Sequence, residues 1–153
     1  MRFAHPSDLL DHIGAKLGVS DWLEIDRARV NAFATIAGKP EPQWMHLDAE
    51  RAARELPGGK TIVQGYLLLS LFPRLTAQCL DVGQVGRTLN YGLNGVRFEA
   101  PVPVGARVRL RLTISAAEKT KSDGIRLTLD CALEVEHSDG PAVVGQTLRI
   151  VYP

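Results

Sequence analysis

A carboxylate and an imidazole stand five positions apart in the run Glu41-Pro42-Gln43-Trp44-Met45-His46. Adding or removing water requires one group that takes a proton and another that gives one. A carboxylate and a histidine gripping the same water meet that requirement. The spacing alone has little specificity, because Glu and His fall this far apart in many proteins. Pro40 and Pro42 do not fit a helix interior, so Glu41 is expected on a stiff, exposed turn between two helical segments. The meaning of the pair rests on the elements that position it.

Those elements change in character along the chain. Residues 7–16 read as a short helix capped by Ser7 or Asp8, with Leu9, Leu10 and Ile13 as its apolar stripe and Gly18 beyond its end. Trp22, Leu23 and Ile25 suggest a short strand. Asp26 caps a second helix that carries Val30, Phe33, Ala34 and Ala37 and stops at Gly38. Asp48 caps a third, running to Glu55. The segment from Tyr66 to Phe72 is apolar nearly all round, which predicts a helix buried on all sides, kinked or short of one backbone bond at Pro73, and resuming to Leu80.

The C-terminal half alternates with period two. Val108, Leu110, Leu112 and Ile114 interleave with arginines, and Ile125 to Val135 repeats the pattern. Asp123-Gly124 and Asp139-Gly140 are hairpin signals. A last strand carries Val144, Leu148 and Ile150, and residues 87–98 form another, closed by Pro101 and Pro103. A sheet with one apolar face must cover it. The sum is an α+β architecture of the hot-dog kind: one antiparallel sheet wrapped around a central buried helix.

Composition narrows the class. A chain of 153 residues suits a single domain, here over residues 1–153 with an N-terminal helical extension at about residues 1–20. A net charge of +1 gives no nucleic-acid footprint. The first residues lack a signal-peptide core, and the apolar runs are too short for a bilayer. Cys79 and Cys131 lie in separate elements without metal-ligand spacing, so both are expected as small buried hydrophobes in a reducing cytoplasm. Arg107, Arg109 and Arg111 are read as a solvated strand face rather than a phosphate patch. His5, His12 and His137 are read as surface residues.

Four segments in order carry a resemblance. Gln43-Trp44-Met45-His46-Leu47-Asp48, the run from Gly65 to Pro73, Asn90 to Phe98, and Ala100-Pro101-Val102-Pro103-Val104-Gly105 resemble the MaoC-like hydratases, in particular the nodulation-protein-N-like branch. The resemblance covers roughly residues 21 to 152. It implies a homodimeric hot-dog protein acting as an (R)-specific enoyl-CoA hydratase, or in reverse as a 3-hydroxyacyl-thioester dehydratase. His46 matches the family histidine and Gly65 its oxyanion glycine. Glu41 falls where the family usually has Asp, on a turn lengthened by Lys39-Pro40. Gln64 stands where His is common.

The resemblance further implies substrate contacts at Gln43, Gln64, Asn90, Tyr91 and Arg97. It implies an acyl-CoA or acyl-carrier-protein thioester as substrate, and no metal or organic cofactor. Two other functions stay open on the sequence. A hot-dog thioesterase would use a carboxylate and a helix N-terminus. The Glu, the longer turn and Gln64 also suit a non-catalytic acyl-thioester-binding subunit.

Overall fold

Alternate side chains of a strand point to opposite faces, so residues paired across a ladder share a face. That rule assembles the long strands of this protein into one sheet. The structure is a computed structural model and describes residues 1–38 and 43–153; residues 39–42, Glu41 among them, lie outside the described residues.

In chain order the elements are β1 (Arg2–Phe3), a 3₁₀ helix (Pro6–His12), β2 (Lys16–Val19), β3 (Leu23–Glu24), α1 (Arg27–Ile36), α2 (Trp44–Leu47) and α3 (Ala49–Glu55). They continue with α4 (Gly65–Ser70), α5 (Phe72–Cys79), β4 (Asp81–Val82), β5 (Arg87–Phe98), β6 (Arg107–Lys119), β7 (Ile125–Val135) and β8 (Pro141–Tyr152). The main sheet runs β2-β6-β7-β8-β5, and β3 also pairs with β6. Its long ladders are antiparallel.

The concave face of this sheet is the core. Val108, Leu110, Leu112 and Ile114 of β6 and Leu127, Leu129 and Leu133 of β7 are all buried there. Against them α4 and α5 lay Leu67, Leu68, Phe72, Leu75 and Cys79. This is the α+β hot-dog arrangement expected. The arginine face of β6 is a solvated lattice, also as expected: Arg107 pairs with Glu136, and Arg109 and Arg111 share Glu134.

Four local expectations are revised. Residues 7–16 do not form an α-helix. Asp8 is not the cap but reaches back from the 3₁₀ helix to the amides of Ala4 and His5. Ile13 is exposed, and the chain then turns into β2, which supplies a hydrogen-bonding neighbour for β6. Gly18 is not a helix stop: at φ +95° it sits in a bulge of that pairing.

At Pro73 the central helix loses one backbone bond, as expected, and is interrupted there. Pro73 has no amide hydrogen, so the Leu69 carbonyl loses its i+4 donor, and the chain restarts as α5 after Leu71. Its inward face is buried, but Tyr66 is 73% exposed, so this helix is not covered on every side.

The fourth revision concerns register. In β8 the buried side is Val143, Thr147 and Val151, not Val144, Leu148 and Ile150. Thr147 pairs with Leu129 and Arg149 with Leu127, which puts both on the core face. In a strand a one-residue shift reverses the face of every side chain.

Among the described residues, no helix is long and apolar enough to cross a membrane. Cys79 and Cys131 are both buried and unpaired. Burial pushes both thiols above their ordinary range, opposed in Cys79 by the N-terminal ammonium and in Cys131 by a hydrogen bond with Thr147. Such thiols react slowly. At neutral pH the native protein is therefore expected to leave both cysteines unlabelled by an aromatic disulfide reagent, and urea should release both. Rapid labelling of either thiol before unfolding would contradict the packing.

Candidate active site

Residues 61–65 form an extended strap with supports on both sides. The Ile62 amide donates to the Met45 carbonyl at 2.9 Å, and the Val63 amide to the Val102 carbonyl at 2.7 Å. The Val104 amide donates back to the Thr61 carbonyl at 2.9 Å, and Ile62 bridges Pro103. The strap then runs straight into Gly65, the first residue of α4.

His46 lies on α2, a helix of one turn that the sequence reading did not foresee. Its half-buried ring makes one directional contact, Nδ1 to the Ile62 carbonyl at 2.8 Å. A carbonyl oxygen only accepts, so Nδ1 carries the hydrogen. In the neutral ring the free lone pair is then on Nε2. One hydrogen bond thus fixes both ring orientation and tautomer.

Arg27, at the start of α1, holds this corner together. Its guanidinium donates to the His46 carbonyl and to the hydroxyl of buried Thr61. Gln64 is buried as well, and its amide donates to the Val30 carbonyl of α1 at 3.1 Å. Asp26 caps α1 as expected, accepting from the Arg29 amide at 2.8 Å. So α1, α2 and the strap form one hydrogen-bonded unit. The Oε1 atoms of Gln43 and Gln64 are buried acceptors with no partner among the described residues.

Gly65 is glycine for a steric reason. A Cβ there would lie 2.9 Å from the Phe98 ring, which covers the start of α4. Phe98 also meets Tyr66 edge to face, with ring centroids 6.1 Å apart. The first amides of a helix have no intrahelical acceptor, and the dipole adds partial positive charge there. Gly65 therefore presents a donor without a side chain in front of it.

The other expected contact residues separate into two groups. Asn90 and Tyr91 line a cavity of about 440 Å³ between β5, β8 and the outward face of α4 and α5. Arg97 is exposed; its ladder partner is Val144, so it points to the face opposite Phe98. Gln43 stands at the N-cap of α2, where its amide donates to the Gly38 carbonyl at 3.2 Å and so joins the two residues that bound the Glu41 segment. The carboxylate role expected of Glu41 lies outside the described residues. No cluster of three or more His, Cys, Asp or Glu side chains placed to hold a metal occurs among the described residues.

The profile of the MaoC-like domain matches residues 8–132. The chain belongs to the MaoC-like dehydratase family. It is 42% identical over 146 residues to 3-hydroxyacyl-thioester dehydratase Z of Mycobacterium tuberculosis, covering 95% of each chain. It is 33% identical to nodulation protein N of Rhizobium leguminosarum bv. viciae, over 95% of this chain and 89% of that one. Among solved structures it is similar to an (R)-hydratase from A. caviae involved in PHA biosynthesis, with TM-score 0.71, 27% identity and coverage of 92% and 96%. These place it in the nodulation-protein-N-like branch.

Two residues of this MaoC-like site were not found from sequence. Arg27 follows an N-cap and looks like any surface arginine. Phe98 closes an apparently ordinary strand. Neither carries a local signal, because both act across the fold. Removing the Arg27 guanidinium would leave two part-buried acceptors without their donor. Arg27→Met is expected to lower stability by about 1–3 kcal/mol, measured by urea denaturation. A loss under about 0.5 kcal/mol would mean that Arg27 does not hold α2 to the strap.

Proposed function

We propose that this protein adds water across the double bond of trans-2-enoyl thioesters with (R) specificity, and catalyses the reverse dehydration of 3-hydroxyacyl thioesters. It is a hydro-lyase of the MaoC-like family. The observation that carries the residue assignment is the contact of His46 Nδ1 with the Ile62 carbonyl, three residues before Gly65. It aims a lone-pair nitrogen from the same strap that ends in the proposed oxyanion donor.

In this reading the thioester carbonyl oxygen accepts from the Gly65 amide. That oxygen gains negative charge as the enolate forms, so the donor acts where charge develops. One water sits between His46 and Glu41. His46 Nε2 takes a proton as the water oxygen attacks C3, while the C2=C3 electrons move toward the carbonyl. Protonation of C2 from the same face completes the addition, and the His46–Glu41 pair returns the proton. Acid–base groups and a backbone donor suffice, so no metal or organic cofactor is part of the proposal. Gln43 supports the placement of Glu41, because it bridges the ends of the segment that carries it. Gln43, Gln64, Asn90 and Tyr91 are proposed substrate contacts. The two unpaired amide oxygens favour this for Gln43 and Gln64, and the cavity favours it for Asn90 and Tyr91. Arg97, on the face opposite Phe98, has no such support within one chain.

CoA or an acyl carrier protein would present the acyl group. We place the enzyme in the cytoplasm, where its two free thiols would stay reduced. Residues 1–153 are taken as one domain, with residues 1–20 as an N-terminal extension.

The test is hydration of crotonyl-CoA, followed by loss of the conjugated thioester absorbance. His46→Ala and Glu41→Gln are each expected to lose at least about 100-fold in kcat. Glu41→Asp should retain more than Glu41→Gln. Near wild-type turnover by His46→Ala would remove that residue from the mechanism.

The proposed assembly is a homodimer. β5 is the edge of the sheet beyond β8, and it leaves Leu89, Tyr91 and Leu93 exposed, the last two beside Tyr66. A long apolar edge is a template for pairing with another strand. A second copy would cover it with two-fold symmetry. Light scattering should give the mass of two chains, and Leu89→Lys with Leu93→Lys should shift it toward one. A single-chain mass for the unaltered protein would exclude this assembly.

A further inference from the structure

Arg149 projects from the face of the sheet that elsewhere carries the core. Its ladder partners are Leu127 on β7, which is 0% exposed, and Asn90 on β5. The guanidinium therefore points with Thr147 and Val151 toward the central helix. There it lines the 440 Å³ cavity with Tyr66, Leu69, Phe72 and Leu93. Its Nε is buried without an acceptor, and no ion pair reaches it among the described residues. Burial holds its proton affinity below the ordinary arginine value, yet a guanidinium keeps its charge in proteins.

The surroundings offer this charge nothing. Residues 65–98 contain a single acid, Asp81, which pairs with Arg2 at 3.2 Å. A second copy meeting β5 and the helix with the same residues would bring no carboxylate either. The nearby Cys131 thiol is pushed up by burial and stays neutral. Arg149 is half-buried and its buried Nε has no acceptor, so this partly desolvated charge favours an acceptor from outside the chain.

Position identifies that acceptor. Tyr66, the residue after Gly65, lines the cavity, and the Phe98 ring packs against both residues. Phe98 pairs with Val143 and Asn90 with Arg149. From 143 to 149 the strand rises about 20 Å, so Arg149, which lines the cavity, stands that far along β8 from the level of Phe98. A thioester seated on Gly65 would lay its chain along this path, with the far end toward the guanidinium. A plain alkyl chain would strip water from the arginine and give nothing back.

We propose that this cavity receives the acyl chain, and that Arg149 is a specificity-determining residue for chains ending in a carboxylate. The proposal rests on the hydratase reading for its orientation. It predicts a pairing of bidentate type, for which arginine is suited.

The experiment compares trans-2-enoyl-CoAs of about eight to about eighteen carbons, each with a methyl or a carboxylate end; at roughly 1.25 Å per carbon of an extended chain these lengths bracket the path of about 20 Å. Saturated acyl-CoAs of both kinds are titrated in parallel by calorimetry. At one or more lengths the carboxylate-ended substrate should have the higher kcat/KM, on the order of 10- to 100-fold. In Arg149→Leu that ratio should fall to near unity, and Arg149→Lys should keep part of it. Hydration of crotonyl-CoA without such a preference at any length, or an unchanged ratio in Arg149→Leu, would overturn the proposal. If no enoyl-CoA is hydrated, calorimetry decides alone. Arg149-dependent tighter binding of carboxylate-ended acyl-CoAs supports the site although the hydratase reading fails, and equal binding of the two kinds overturns it.

Discussion

The hydrogen bond from His46 Nδ1 to the Ile62 carbonyl governs the geometry of this protein's candidate site. It exists only because Ile62 belongs to an extended strap whose own amide is already engaged by Met45. Had residues 61–65 continued as a helix, that carbonyl would have been spent inside it. The ring would then have lost both its orientation and its defined tautomer. The extended strap also explains why α4 begins where it does. Gln64 has β-region angles (φ −61°, ψ 132°), so Gly65 is a true first residue with free amides.

The strap depends in turn on α1. Arg27 reaches both the His46 carbonyl and the Thr61 hydroxyl, and Gln64 reaches Val30 one turn further along. Gln64, which replaces the more usual His, is thus a polar tie between helix and strap. A neutral amide can make this tie without adding a charge to a buried corner. The same residue leaves Oε1 unsatisfied beside the first turn of α4. Structural and binding roles therefore meet in one side chain.

Strands 5 to 8 were legible because alternation is a strong signal where one face is buried. Their boundaries follow from it, and so do the Asp-Gly hairpins. His46 and Gly65 stand out through the family resemblance, since the Glu–His spacing alone has little specificity. Three things were not legible. Residues 7–16 have helical apolar spacing, but pairing with the free side of β6 prevailed over it. The outward face of Tyr66 was hard to tell from an inward one, because Ser70 is the single polar residue between Tyr66 and Phe72. In β8, Leu148 and Ile150 look like core, yet register with Leu127 and Leu129 turns Thr147 and Arg149 inward. Composition ranks residues by hydrophobicity; the ladder ranks them by parity, and parity decided the face.

Glycine 65 links these levels. Its missing side chain admits the ring of Phe98, which belongs to β5, the edge strand. The same strand carries Asn90 and Tyr91 along the cavity, opposite the outward face of α4 and α5. A force that shifts β5 in register or twist therefore moves the cover of the helix start and the wall of the cavity together. Pairing of that edge with a second chain would hold both in place at once. Such coupling also accounts for the residue types found there. Leu89, Tyr91 and Leu93 are poor choices for a solvent-facing edge, where lysine or proline would guard against association. They are good choices for an edge that must be covered before the site beside it is rigid.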